Sequence, residues 1–435
     1  MRIALLTDSI LPRGGVVHVL ELGTALLARG HDVTIIAPGS TAQGLFRPIP
    51  CRLSMAPCEA AGPDLATTLR RRSHAMREHL RERIAAEGGF DVYHAHDGVG
   101  AHALAELAAE GLVGAFVRTV HHVDRYNDPE VEDWEERAIL AATRVLAVSA
   151  HWCRKLRVDY GVDAQQVSNG IDLKRFNPQP EPGVAAVLRR IGIDGGPLIL
   201  AVGGVERRKN TRRLLEAFVQ LQRRLPRAQL VVAGGASLMQ QSDELEAFLA
   251  EAQVAGLSIR SSAYVPRGGT RPQVIRTGPL PDAELPALYR AADVVAMPSL
   301  LEGFGLAALE GLACGARAVV SSIPPFTEHF ADDDVCWADP RDAFSIAQAL
   351  LEAVAHGRVR AAPAVCRRYG WDESAVRHEA IYRGLPAVVA PRRAPAAAAA
   401  APVRVRSEAL EGAGRQPAMP PAPAPAPRRV AATLG

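Results

Sequence analysis

At 435 residues, 48% of them hydrophobic and 22% charged, the chain can bury two cores of ordinary domain size and has the balance of a soluble globular protein. The formal net charge is +3, but seven arginines and two glutamates lie beyond residue 390, so the rest is slightly acidic and a dedicated nucleic-acid binder is excluded. The six cysteines (51, 58, 153, 314, 336, 366) form no CxxC pair, Asp8 cuts the apolar start short of a signal peptide, and no run approaches the ~18 apolar residues of a membrane span, so a cytoplasmic enzyme with reduced thiols is expected.

Apolar runs of strand length alternate with helical patterns from the first residue, which is the signature of an α/β fold with parallel sheets. Strands are expected near 2–7, 32–37, 51–56, 91–95, 115–120, 144–149 and 166–169, forming one doubly wound domain over residues 1–180. After the first strand, Leu11-Pro12-Arg13-Gly14-Gly15-Val16-Val17-His18 makes a glycine-rich turn into a helix. It lacks the GxGxxG spacing and an acidic partner after the second strand, so as a bare pattern it is only a tight turn. Further on, Leu65, Leu69, Met76, Leu80 and Ile84 form an apolar helical stripe beside Arg70, Arg71, Arg72, Arg77, Arg81 and Arg83. Such a helix either makes peripheral contact with an anionic membrane or covers its own sheet and shows its charges to water.

Two histidine-bearing stretches, Asp91-Val92-Tyr93-His94-Ala95-His96-Asp97 and Thr119-Val120-His121-His122, end adjacent strands. His94, His96 and His121 would suit a metal-dependent hydrolase, although no further ligand set is apparent at later strand ends. Asn177-Pro178-Gln179-Pro180-Glu181-Pro182-Gly183 breaks the rhythm as part of a linker. Strands resume near 197–202, 228–233, 273–277, 292–297, 316–321 and 334–337, giving a second domain over 181–370, with a long loop at 255–272. A last helix follows Trp371 in a 371–390 segment, and the Ala/Pro/Arg tail 391–435 has little to bury and reads as disordered.

The second domain carries two anchors. Val202-Gly203-Gly204-Val205-Glu206-Arg207-Arg208-Lys209-Asn210 joins a strand to the helix beginning at Thr211, and Lys209 is one of only three lysines, with 155 and 174. Three adjacent cations at a helix start oppose its dipole and repel one another, which favours a diphosphate ligand over a solvated basic turn. The other anchor, Glu302-Gly303-Phe304-Gly305-Leu306-Ala307-Ala308-Leu309-Glu310, follows the apolar run 292–298. Read as a turn opening a helix, it aims backbone N–H groups and the helix dipole at a phosphate, with Glu302 at the mouth and Glu310 two turns deeper on the same side. Glycines 303 and 305 would admit a bulky ligand, and the two carboxylates would accept from hydroxyls on either side of a diphosphate. Glu310 can equally be an ordinary exposed helix residue.

The glutamate, seven residues, glutamate pattern resembles that of retaining family 4 glycosyltransferases (group 1), enzymes of the two-domain GT-B fold. The segment Gly203 to Asn210 is similar to their diphosphate-holding loop, with Gly204 where many members carry arginine and Arg208 and Lys209 as the cations. Val167-Ser168-Asn169-Gly170-Ile171-Asp172 resembles the turn ending their first domain, and Gly278 to Asp293 a stretch facing the nucleotide base; Ile323-Pro324-Pro325-Phe326-Thr327-Glu328 departs from their commoner glycine-containing turn. The resemblance implies an acceptor-binding first domain and a donor-binding second domain, with the last helix returning to the first. It implies a retaining, metal-independent sugar transfer from a nucleoside diphosphate sugar to an unknown acceptor. The implied catalytic group is His121, Glu302, Arg208 and Lys209. The implied donor site is Gly14, Gly15, Gly204, Arg208, Lys209, Phe304, Gly305, Leu306 and Glu310, with His18 and His96 on the acceptor side and no metal or cofactor. The alternatives to the transferase are the metal-dependent hydrolase and a non-catalytic sugar-nucleotide-binding protein.

Overall fold

In a computed structural model, residues 1–386 are described except 41–43, 59–61, 124–127, 194, 236–241 and 262–270. The expected tail and half of the expected 255–272 loop lie outside the described residues. Two seven-stranded parallel sheets, each flanked by helices, make up the molecule. The first is built from β1 (Arg2–Leu6), β2 (Asp32–Pro38), β3 (Arg52–Ala56), β4 (Val92–Ala95), β5 (Val117–Val120), β6 (Arg144–Ala147) and β7 (Gln165–Gln166), in the order β3-β2-β1-β4-β5-β6-β7. The second comprises β8 (Leu198–Val202), β9 (Gln229–Ala233), β10 (Ile259–Ser261), β11 (Val274–Gly278), β12 (Val294–Met297), β13 (Arg317–Ser321) and β14 (Cys336–Ala338), ordered β10-β11-β9-β8-β12-β13-β14. β10 falls inside the stretch expected to be loop; at three residues it is too short to announce itself by pattern.

Both orders reverse once, between β1 and β4 and between β8 and β12. At such a switch point neighbouring loops leave the sheet in opposite directions and open a crevice at the strands' carboxyl ends. The register Val294↔Ile199 and Val295↔Leu200 therefore delivers the loop after β8 and the loop after β12 to one place, although they are far apart in sequence. Strands buried on both faces explain the near-continuous apolar runs: Ile3 to Leu6, Leu198 to Leu200 and Val294 to Val295 are 0–2% exposed. Facing each other across a cleft, the two Rossmann-like sheets form the GT-B fold.

The helix Trp371–Arg383 packs on the first sheet's layer, where Trp371, Ala375 and Tyr382 join the core of Val19, Leu22 and Val33. Polar contacts fix it: Ser374 Oγ donates to the Ser168 carbonyl at 2.6 Å, and Glu379 accepts from Arg29 at 2.8 Å. Gly170 sits so close that a Cβ there would stand 2.4 Å from the Trp371 amide nitrogen. The helix Leu65–Glu87 covers its own sheet with Met76 and Leu80, both fully buried. Its arginines are taken by neighbours: Arg70 by Glu130, Arg77 by Glu106, Arg81 by Glu78 and Glu110, and Arg83 by Glu87. Carboxylates of this helix and of adjoining ones thus pair with four of its arginines. No helix among the described residues is long and apolar enough to cross a membrane.

Gly170→Ala is expected to destabilise the chain by about 1–3 kcal/mol, the range for forced overpacking, because backbone rather than a mobile side chain blocks the new methyl. Urea unfolding followed by tryptophan fluorescence measures it; an unchanged midpoint would show that the Trp371 helix is not seated as described.

Candidate active site

At the second sheet's switch point, Lys209 Nζ lies 2.6 Å from Glu302 Oε2. Burial alone would raise the Glu302 carboxyl, but Lys209 and Arg208 outweigh it and hold the group down at about 2. Burial pushes the Lys209 ammonium the other way, below its ordinary value, with Glu302 opposing. The short contact makes each group the other's main electrostatic partner. Glu302 Oε1 also accepts from the Gly303 N–H at 3.1 Å. Arg208 Nε stands 3.3 Å from Glu206, and its backbone carbonyl accepts from Leu300 N–H at 2.8 Å, tying the two loops together. Asn210 holds the αL conformation (φ 60°), anchored by its side-chain amide on the carbonyls of Pro298 (2.9 Å) and Pro340 (2.6 Å).

The helix after β12 begins only at Leu306, running Leu306–Ala313, so Glu302 is in the preceding turn and not two helical turns from Glu310 along one face. Glu310 accepts from the Tyr289 hydroxyl at 2.7 Å, and burial lifts its carboxyl to about 7. With Leu306, Val17, Arg175, Asp282 and Leu285 it lines a cleft pocket of about 360 Å³, open solvent included. Arg175 pairs with Asp282 at 2.8 Å on its wall.

The glycines serve packing more than ligand approach. A Cβ at Gly303 would meet the His121 carbonyl oxygen at 2.4 Å, and one at Gly305 the Phe326 ring at 2.7 Å. Gly303 thus marks where the two domains touch, and Trp152 reinforces the contact by donating its indole N–H to the Glu302 carbonyl at 3.0 Å. Gly204 has φ +81° and a Cβ there would be 2.5 Å from the Gly235 carbonyl, so the arginine common in the resembled family has no room. Phe304 is a core residue, 3% exposed, with its ring 4.3 Å from that of His329; only its backbone faces the turn. Gly14 has open space around it, and Gly15 borders His121, whose Cδ2 is 3.5 Å from where its Cβ would be.

The first sheet's switch point holds a denser titratable set. Burial raises Asp8 above its ordinary value, with Arg13 at 3.7 Å opposing. Arg72 donates to the Asp8 carbonyl at 3.1 Å. Burial, with the charge of Asp8 adding, lifts Asp97 to about 8. His18 and His96, expected on the acceptor side, are 0% and 4% exposed, with ring centroids 4.8 Å and 5.8 Å from that of His121. His94 Nδ1 is engaged by the Tyr382 hydroxyl (2.7 Å) and Nε2 by Thr119 Oγ1 (2.8 Å), so it offers no lone pair to a metal and the hydrolase triad of His94, His96 and His121 fails on geometry. Among the described residues, three ligating side chains come mutually close only at Cys336, Glu352 and His356, on β14 and the far end of the helix Ala343–His356.

The model of the glycosyl transferases group 1 family matches residues 188–368, and that of glycosyltransferase family 4 matches residues 12–175. A D-inositol 3-phosphate glycosyltransferase of Xylanimonas cellulosilytica is 31% identical over 407 residues, covering 82% of this chain and 88% of that protein. The chain belongs to the group 1, family 4 glycosyltransferases. As a GT-B glycosyltransferase it moves a sugar from a nucleoside diphosphate sugar to an acceptor. Two solved structures share its fold. Sucrose-phosphate synthase from Thermosynechococcus elongatus has a TM-score of 0.67 at 22% identity, over 88% of this chain and 98% of that one. Anabaena HepE in complex with UDP and glucose has a TM-score of 0.65 at 16% identity, over 88% and 100%.

Several groups of this glycosyltransferase's cleft escaped sequence reasoning. Asp8 and Asp97 follow strands directly, which was a usable signal. Tyr289 is fully buried and hydrogen-bonded to Glu310, and nothing local in the sequence announces that. His378 joins Trp371, Ser374 and Tyr382 at near-helical spacing on the buried face of the last helix.

Burial holds His18 at about 3 and His378 at about 4, and keeps His94, His96 and His121 well below the ordinary imidazole value. Unfolded, each titrates near 6.5, so the unfolded chain binds more protons below that pH and each such histidine removes about 1.4 kcal/mol of stability per pH unit. Glu310, Asp97 and Asp8, raised in the folded state, act oppositely, their stability being lost as pH rises from the ordinary carboxylate range through the raised folded values, but five histidines outnumber three carboxylates. Stability is therefore expected to climb steeply from pH 4.5 to 6.5 and then flatten or fall above 7, as melting across buffers measures. A flat profile below 6.5 would contradict the neutral cluster.

Proposed function

We propose that this enzyme works with retention of anomeric configuration and draws its charge stabilisation from protein groups, with no metal required. The observation that carries this is the Lys209–Glu302 pair at 2.6 Å beside Arg208 and the turn into the Leu306 helix. When the donor enters, its diphosphate would compete for Lys209, and Glu302, released, would accept from the sugar's hydroxyls. Arg208, Lys209 and the backbone N–H groups of Phe304 to Leu306 would then hold the charge that builds on the departing diphosphate. Glu310 would accept from the ribose hydroxyls in its pocket, which needs the carboxylate form.

His121 would stand beside the reacting carbon, with Gly14 and Gly15 bordering the phosphates. The acceptor hydroxyl would bond to the anomeric carbon on the face from which the diphosphate leaves, passing its proton to a departing phosphate oxygen. Asp8, Arg13 and Arg72 would line the acceptor side. The UDP and glucose held by HepE, and the D-inositol 3-phosphate named for the Xylanimonas enzyme, support a nucleoside diphosphate sugar and a hydroxylated acceptor as substrate classes.

Lys209→Ala should remain folded by circular dichroism and lose about 10²–10³ in kcat, as removal of one charge-stabilising donor does. Glu302→Gln should bind a free nucleoside diphosphate more tightly than wild type, because its lysine is no longer paired, while transferring sugar more slowly. Near-normal transfer by Lys209→Ala, or weaker diphosphate binding by Glu302→Gln, would sink the assignment.

A further inference from the structure

Cys336, Glu352 and His356 take no part in the sugar-transfer reading, and their meeting follows from the helix Ala343–His356. Its inner face repeats at i, i+3, i+4 and i+7 with Ile346, Ala349, Leu350 and Ala353, which are 0–3% exposed. The same spacing counted from Ala349 reaches Glu352, Ala353 and His356, so a carboxylate and an imidazole stand four residues apart along the border of that face. The helix packs on β14, the edge strand, which pairs with β13 through Cys336↔Val319. Cys336 is 7% exposed and shares a core cluster with Ala349 and Ala353. Its Sγ, a carboxylate oxygen of Glu352 and a ring nitrogen of His356 all lie within 4.8 Å of one another.

None of these three side chains makes a hydrogen bond or an ion pair among the described residues. Arg317, which begins β13, donates from Nε to the Gly357 carbonyl at 2.7 Å and from Nη2 to the His356 carbonyl at 3.4 Å, so it pins the helix end instead of pairing with Glu352. A thiolate, a carboxylate and a neutral imidazole each offer a lone pair, and one cation can take all three. The sulfur and nitrogen in the set exclude magnesium and calcium, which take oxygen ligands, and favour zinc. Zinc bonds of about 2.0–2.3 Å set tetrahedral ligand atoms about 3.5 Å apart, and Glu352 and His356, both exposed, can turn through the remaining distance.

We propose that Cys336, Glu352 and His356 form a zinc site that clips the edge strand of the second sheet to the helix covering it, with water in the fourth position. Cys336 binds as the thiolate, its proton released to solvent as the sulfur–zinc bond forms. The site stands apart from the Lys209–Glu302 pair. β14 is two strands out from β12, and the Arg317 contact places the helix end at the amino ends of the strands, whereas the pair lies beyond their carboxyl ends. Zinc here holds the fold together and takes no part in sugar transfer.

The test titrates zinc, and separately cobalt, into the full chain after metal has been stripped with chelator and the chelator removed. Calorimetry should find one zinc per chain, and zinc should raise the melting temperature, because a metal bound only by the folded form stabilises it by mass action. Cobalt should give a sulfur-to-metal charge-transfer band together with the intense visible bands of a tetrahedral ion. Glu352→Gln and His356→Ala alter exposed side chains and leave the core intact. Each should weaken zinc by more than the ~10–100-fold that loss of an outer-shell partner costs, and should abolish the melting shift. Cys336→Ser should lose the charge-transfer band; should it fail to fold, the two surface variants carry the test. No zinc bound by wild type, zinc binding and melting shift unaltered in the surface variants, or cobalt bound without a sulfur band would each overturn the proposal.

Discussion

The Lys209–Glu302 pair depends on a topological accident that only a parallel sheet supplies. Two loops far apart in sequence meet because β8 and β12 pair where the strand order reverses. Everything chemical in the second domain follows from that meeting. The αL turn at Asn210 and its two carbonyl anchors hold the cation-bearing loop, and the Trp152 indole holds the Glu302 carbonyl from the opposite domain. A buried pair of this kind is weak evidence for stability, since desolvation offsets much of the attraction. In the proposed function its use would be to hold Lys209 and Glu302 together until a ligand with phosphate and hydroxyls could satisfy both.

The same sheet geometry decided what could be read from the chain. Most strands are buried on both faces and read as continuous apolar runs, so thirteen of the fourteen among the described residues were anticipated; the three-residue β10 was not. The carboxylates and cations of the site were legible because charged residues directly after such runs have few structural reasons to be there. The glycines were legible as special positions but not by cause. Nothing in the sequence distinguishes a glycine that admits a phosphate from Gly303, which admits the carbonyl of His121, or Gly305, which admits Phe326.

Long-range partners were illegible for the same reason. Nothing in the Leu65–Glu87 helix announces that Glu106, Glu110 and Glu130, from beyond it, meet its arginines. Nothing near His18 in sequence announces that the last helix, arriving from the far end of the chain, sets Trp371 and His378 against its ring. In each case a tertiary contact at large sequence separation overrode a sound local inference. Depth in the fold, not residue type, separates His121 from its buried neighbours.

The central claim is that a nucleoside diphosphate binds through protein groups, with its ribose on Glu310. Because that carboxyl sits at about 7 and must be ionised to accept from ribose hydroxyls, proton release should accompany binding near neutrality. Titration calorimetry with a panel of nucleoside diphosphates in the presence of chelator, at pH 6 and pH 8, measures this directly. The account predicts binding by at least one base series that survives chelator, tightens toward pH 8, and loses its pH dependence in Glu310→Gln. Binding that disappears with chelator, or that is equally tight at both pH values in wild type, would contradict it.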